Sequence, residues 1–210
     1  MKTYLFDFDG TLVDSMPTYV SVMLRILEET GTPYEKDIVK IITPLGFKDT
    51  AKYFIKIGVP LTYDEIVMRM GKYALHEYVH NIEAKPEVIE TLKALRAEGH
   101  SLNVLTASPH ITLDPCLKRI GIFDMFDNVW SCDDFATNKS NPEIYRMAAE
   151  RLGCNVQDVI FLDDNYNADK TAKSAGMYVI GVYDASSDEF VDEIKSVTDD
   201  YIVSFSELLN

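Results

Sequence analysis

Basic residues are scarce in this chain: 20 Lys and Arg stand against 34 Asp and Glu, a formal net charge of −14. That balance excludes nucleic acid and anionic membrane surfaces as partners, because both are bound through clusters of cationic side chains. Small molecules are the expected partners. A phosphorylated one would need positive charge gathered locally by a metal, a lysine or backbone N–H groups. Cysteine is also sparse. Cys116, Cys132 and Cys154 form no CxxC pair, and so odd and scattered a set fits free thiols packed in the core, in a reducing cytosol. Long apolar runs are missing too. The first, Tyr4 to Phe6, stops at Asp7, so neither a signal peptide nor a membrane span is expected and the predicted location is cytoplasmic.

What remains suits a substantial core, since 47% of the 210 residues are hydrophobic. Residues 3–8 (TYLFDF) form a short apolar run that breaks at Asp9-Gly10-Thr11, which predicts a buried strand feeding a turn. From Ser15 to about Asn81 the pattern is helical only, with helices expected from 15 onward and around 35–43, 47–57 and 63–80. After Pro86, helices over 86–98, 109–119, 142–152 and 166–175 alternate with strands at 101–105, 128–130, 159–162 and 178–182. Such alternation predicts an α/β fold, a doubly wound parallel sheet covered on both faces. The expected division is a Rossmann-like core over 1–14 and 86–210 with a helical insert over 15–85, hinged at 14–17 and 83–86. The acidic stretch 184–200 reads as a solvated helix with its flanks.

In an open α/β sheet, ligands bind beyond the carboxyl ends of the strands. Three predicted strands end on polar residues: Asp7-Phe8-Asp9-Gly10-Thr11, Thr106-Ala107-Ser108 and Asp163-Asp164-Asn165. A loop before the helix at 142 adds Lys139. Two carboxylates leaving a strand two residues apart, with an acidic pair beside them, make an oxygen-only pocket that suits a hard cation such as Mg²⁺. The lysine would offset the acidic cluster and hold a phosphoryl oxygen. Each piece alone has a plainer reading: a helix cap for Asp9, Thr11 or Asp163, a turn for Thr106, a solvated loop for Lys139. Asp169 and Asn167, close by, read as surface or cap residues.

Taken together these segments resemble the haloacid dehalogenase superfamily. Its first motif is matched by Asp7-Phe8-Asp9-Gly10-Thr11-Leu12-Val13-Asp14-Ser15, and its second by Leu102 to Thr106. The third is matched by Lys139-Ser140-Asn141-Pro142-Glu143-Ile144-Tyr145, with Ser140 in place of the usual proline, and the fourth by Asp163-Asp164 with Ser174-Ala175-Gly176-Met177. The resemblance runs over essentially the whole chain and sets the insert where the family carries a type-1 helical cap, as in its phosphoglycolate phosphatase and β-phosphoglucomutase members. It implies an Mg²⁺-dependent phosphatase acting on small-molecule phosphate monoesters. Asp7 would be the nucleophile that becomes an aspartyl-phosphate, and Asp9 the acid and base. Thr106, Ala107 and Lys139 would hold the phosphoryl group, and Asp7, the Asp9 carbonyl, Asp164 and Asp163 the metal. Substrate choice would fall to the cap, where the turn Thr43-Pro44-Leu45-Gly46, Lys48 and Arg25 are candidates.

Three other functions are compatible with parts of the sequence. A β-phosphoglucomutase-like mutase would carry a histidine early in the first cap helix, where this chain has Tyr19. A non-catalytic phosphometabolite-binding module would be expected to have lost a catalytic residue, and none is lost. His76-Glu77-Tyr78-Val79-His80 matches the HExxH pattern of zinc peptidases, but the chain leaves the helix at Asn81 with no further ligand at a family spacing.

Overall fold

Thr3–Phe6 (β1) is buried at Tyr4, Leu5 and Phe6 without alternation, which is what a strand covered on both faces requires. The computed structural model describes residues 1–43 and 45–209. The chain divides into a sheet unit, Met1–Asp14 with Glu83–Asn210, and a helical unit, Ser15–Ile82.

In the sheet unit the strands after β1 are Ser101–Thr106 (β2), Asn128–Ser131 (β3), Val159–Asp163 (β4), Tyr178–Val182 (β5) and Asp200–Ile202 (β6). They form one parallel sheet in the order β3-β2-β1-β4-β5-β6. Phe6 registers with Val104 of β2 and Leu162 of β4. The Asp7 N–H continues the ladder to the Leu162 carbonyl at 2.8 Å, so the ordered backbone carries past the last strand residue. Leu5 points into a core with Leu105, Tyr145, Phe161 and Val179. Tyr4 and Phe6 face the other way, where Phe6 packs on Phe126 and Phe205. That two-sided burial explains the unbroken apolar run.

Five helices accompany this sheet: Val88–Ala97, His110–Arg119, Glu143–Leu152, Tyr166–Ala175 and Val191–Val197. We number them α5 to α9, after the four of the other unit. Those are Met16–Thr30 (α1), Ile38–Ile42 (α2), Phe47–Lys56 (α3) and Tyr63–His80 (α4), the last opened by a reciprocal capping box between Thr62 and Glu65. Met23, Ile26, Leu27, Phe54, Ile66 and Met70 fill its interior.

Two details depart from the sequence expectation. The chain re-enters the sheet unit at Glu83 rather than at 86, because Asp14 N–H bonds the Glu83 carbonyl, Val13 bridges Ala84 and Lys85 N–H bonds the Leu12 carbonyl. The acidic stretch is more than a solvated helix. It ends in β6, which pairs with β5 through Ile180 to Val182.

Candidate active site

The sheet connections run in opposite directions from β1 and β4, and at such a switch point the carboxyl ends of the two strands open a crevice. Asp7 follows β1, Asp163 closes β4, and Asp164 is next. All three are buried, and each offers a carboxylate oxygen within 4.8 Å of the others. The Lys139 amino group contacts Asp7 Oδ1 and lies 2.8 Å from Asp163 Oδ2. Its loop is anchored by Tyr145, whose single hydroxyl proton is shared between the carbonyls of Lys139 (3.2 Å) and Ala168 (3.1 Å).

Asp163 is occupied on both oxygens, since Oδ1 accepts the Asn165 N–H at 2.8 Å. The cap of the following helix is Asn165, which accepts from the N–H groups of Asn167 and Ala168. Asp164 Oδ1 accepts from the Thr11 hydroxyl at 3.3 Å. Thr106 is buried at the end of β2 and its hydroxyl oxygen accepts the Ser108 N–H at 3.0 Å, while Ala107 between them is exposed. The Ser108 hydroxyl in turn donates to Asp9 Oδ2. Ser108 was within the polar strand end read from the sequence, but nothing local marked it as the partner of Asp9.

Gly10 has φ +76°, and a Cβ there would lie 2.6 Å from Asp164 Oδ2. A side chain is excluded both by the left-handed backbone and by the carboxylate. Gly10→Ala is therefore expected to cut activity by about 10²-fold or more, through displacement of Asp164, while urea unfolding shows a loss of only ~1–2 kcal/mol.

Burial raises the Asp7 carboxyl to about 8, with Asp163 and Asp9 adding to the rise against the opposing charge of Lys139. Asp164 is likewise raised well above the usual carboxylate range, first by burial and then by Asp163 and Asp7, with Lys85 opposing. Burial would lower Lys139, but Asp163 and Asp7 more than reverse it and hold it as a cation. Lys139 thus serves two of the three clustered carboxylates, and the acidic, all-oxygen donor set fits a hard divalent cation.

Asp169 corrects the sequence expectation of a surface or cap residue. It is 0% exposed, on the face of α8 that also buries Ala168, Ala172 and Ala175, and neither carboxylate oxygen has a hydrogen-bond partner among the described residues. Burial, reinforced by Asp163 and Asp164, raises it to about 10. Its folded value lies above the unfolded value of about 4, so the native state binds the extra proton and stability falls as pH rises between those limits. Asp169→Asn removes that dependence. In magnesium-free urea titrations at pH 5, 6.5 and 8, the variant should gain on the wild type by roughly 1 kcal/mol per pH unit. A gap independent of pH would show that the carboxyl is not held neutral.

The remaining candidates lie in the helical unit. His76 and His80 are exposed with ring centroids 4.7 Å apart on α4, but the triad of Asp7, Asp163 and Asp164 is the only ligand group of three or more among the described residues. Arg25 is engaged by Glu29 at 2.9 Å and by the Tyr73 ring, and Lys48 is exposed. Of the turn Thr43 to Gly46, Pro44 lies outside the described residues. Among the described residues no helix is long and apolar enough to cross a membrane.

Residues 4–182 match the model of the haloacid dehalogenase-like hydrolase family. YhcW of Bacillus subtilis, assigned as a phosphatase, is 31% identical over 180 residues, 84% of this chain and 81% of that protein. The pyrophosphatase PpaX of Bacillus velezensis is 30% identical over 181 residues, 85% of this chain and 81% of its own. The crystal structure of a Thermotoga maritima protein assigned as a β-phosphoglucomutase superposes with a TM-score of 0.87 at 24% identity, covering 100% of this chain and 97% of that one. That likeness speaks to the fold.

Proposed function

The chain belongs to the haloacid dehalogenase-like hydrolases, and within that family we propose that it is a magnesium-dependent phosphatase of small-molecule phosphate monoesters. The observation that carries this reading is the partly buried Lys139 bridging Asp7 and Asp163 beside Asp164, with Asp9 two residues after the nucleophile. A carboxylate nucleophile splits one difficult displacement into two easier ones.

In the first step an Asp7 oxygen bonds to phosphorus as the ester P–O bond breaks, and Asp9 gives its proton to the departing alcohol. In the second, Asp9 takes a proton from water, whose oxygen bonds to phosphorus and frees phosphate and the Asp7 carboxylate. Lys139 and Thr106 hold the phosphoryl oxygens, where fixed donors are worth most because the charge grows there in the transition state. The Ser108 hydroxyl keeps the Asp9 carboxyl oriented between the two proton transfers. Asp7, the Asp9 carbonyl and Asp164 would hold Mg²⁺, with Asp163 beside them tied to Lys139. When bound, the ion supplies Lewis-acid charge that offsets repulsion between carboxylate and phosphate.

These residues address only the transferred group, so leaving-group choice is assigned to the helical unit. Tyr19, where mutases of this family carry histidine, stacks on Phe47 at 4.9 Å and supports hydrolysis over mutase chemistry. The test is phosphate release from a panel of about a hundred phosphorylated metabolites, with and without EDTA. One or a few substrates should be hydrolysed and chelation should silence them. Isomerisation of a sugar phosphate with no phosphate release would replace hydrolysis by the mutase reaction.

A further inference from the structure

Lys85 stands just after the chain returns from the helical unit, where neither pattern nor motif singles it out. Its side chain is 15% exposed, and its amino group donates to the Gly10 carbonyl (2.7 Å), the Tyr183 carbonyl (2.6 Å) and Asp184 Oδ2 (3.0 Å). An ammonium has three protons, so the group is saturated. Its own N–H bonds the Leu12 carbonyl at 3.0 Å, so main chain and side chain both grip the segment that follows Asp9. Asp184 is itself a fixed point. Its Oδ1 accepts from the N–H (2.9 Å) and hydroxyl (2.6 Å) of Ser186, and its carbonyl accepts from Ser187 at 3.1 Å. Gly10 is thereby gripped from two directions, its carbonyl by Lys85 and its α-carbon against the Asp164 carboxylate.

We propose that Lys85 is a positioning residue for phosphoryl transfer: it fixes the Asp9–Gly10–Thr11 turn through the Gly10 carbonyl, with the main-chain carbonyl of Tyr183 as the anchor. The claim rests on the roles given to Asp7 and Asp9 above. A rigid turn is needed because Asp9 must meet the leaving oxygen and then a water in the same geometry, and a displacement of about 1 Å at such a group costs about 10²-fold in rate. Lysine suits the place because one compact point charge serves two carbonyls and a carboxylate converging from separate elements.

The test compares Lys85→Met with Asp184→Asn, assayed well below their melting temperatures. Lys85→Met is expected to lower kcat by about ten- to a hundred-fold with KM within about threefold of wild type. Asp184→Asn, which keeps the lysine and its bond to Gly10, is expected to hold kcat within about threefold although it loses the ion pair. The amide resonance of Gly10 in a ¹⁵N–¹H spectrum should shift in the first variant and stay in place in the second. Wild-type kcat in a folded Lys85→Met, or equal kcat losses in the two variants, would overturn the proposal and leave Lys85 a structural ion pair. Should Lys85→Met fail to fold, Lys85→Arg is read by the same kcat and resonance criteria, because it keeps the charge but displaces the donor. Asp7→Asn is run alongside. If that variant is active, the reading of the site has failed; if it is inactive and Lys85→Met is unaffected, only the role of Lys85 has.

Discussion

Asp7→Asn is expected to lower turnover of a generic aryl phosphate by at least about 10³-fold while leaving the protein as stable as the wild type or more so. Both halves follow from the position of Asp7. The amide cannot form the acyl-phosphate bond, so the two-step route closes. The wild-type carboxyl is buried and raised to about 8, so the fold already disfavours its charge. For an acid raised in this way, stability declines as pH climbs from the unfolded value near 4 toward the folded one, and asparagine escapes that decline. The melting temperature of Asp7→Asn should therefore move ahead of wild type as pH rises from 5 to 8 in magnesium-free buffer. Mass spectrometry of acid-quenched protein should find a phosphoryl adduct on wild type and none on the variant. Activity near wild type would remove Asp7 from the nucleophile's role.

Lys139→Met should damage both activity and stability. Its ammonium is the cation between the buried carboxylates Asp7 and Asp163, and methionine keeps its length and apolar stem without the charge. Removing one partner of a buried ion pair costs about 3–5 kcal/mol because the other charge is left without compensation. Here Asp163 would be left beside Asp7, whose charge burial already disfavours. On the role proposed for Lys139, loss of a donor to the transferred phosphoryl group should add a fall of about 10²–10³-fold in kcat. The two deficits respond differently to pH. Asp7, whose carboxyl burial already raises to about 8, can take up a proton to relieve the repulsion, so the stability deficit in urea unfolding should shrink from pH 8 to pH 5 while the activity deficit persists. A deficit that grows on acidification would mean that Lys139 is not the counter-charge of the pair.

Much of the sheet unit was legible because parallel, doubly covered strands must be apolar at nearly every position. Leu102 to Leu105 and Val159 to Leu162 are such runs, and each stops where the polar strand end begins. Helices α4 and α8 begin where the sequence predicts, each behind an N-cap side chain that the structure shows, Thr62 and Asn165. Strand β6 was not readable. Three residues, Asp200 to Ile202, carry too little pattern, and they become a strand only by pairing with β5. Asp169 left a trace: it is three residues before Ala172, on the buried alanine face of α8, yet its charge argued for the surface. For Lys85 there was no trace, since a lone lysine beside a proline is most often solvated.

By itself the sequence determined the α/β alternation, the helical insert and the residue types of an oxygen-rich candidate site, because these depend on periodicity and on motifs only a few residues long. Only the tertiary structure decided which of those groups meet. Lys139 bonds Asp163 and Asp7 across 24 and 132 residues, Ser108 reaches Asp9 across 99, and Lys85 reaches Gly10 across 75. The charge state of such groups is set by burial and by neighbours brought from distant strands, and local sequence does not specify either.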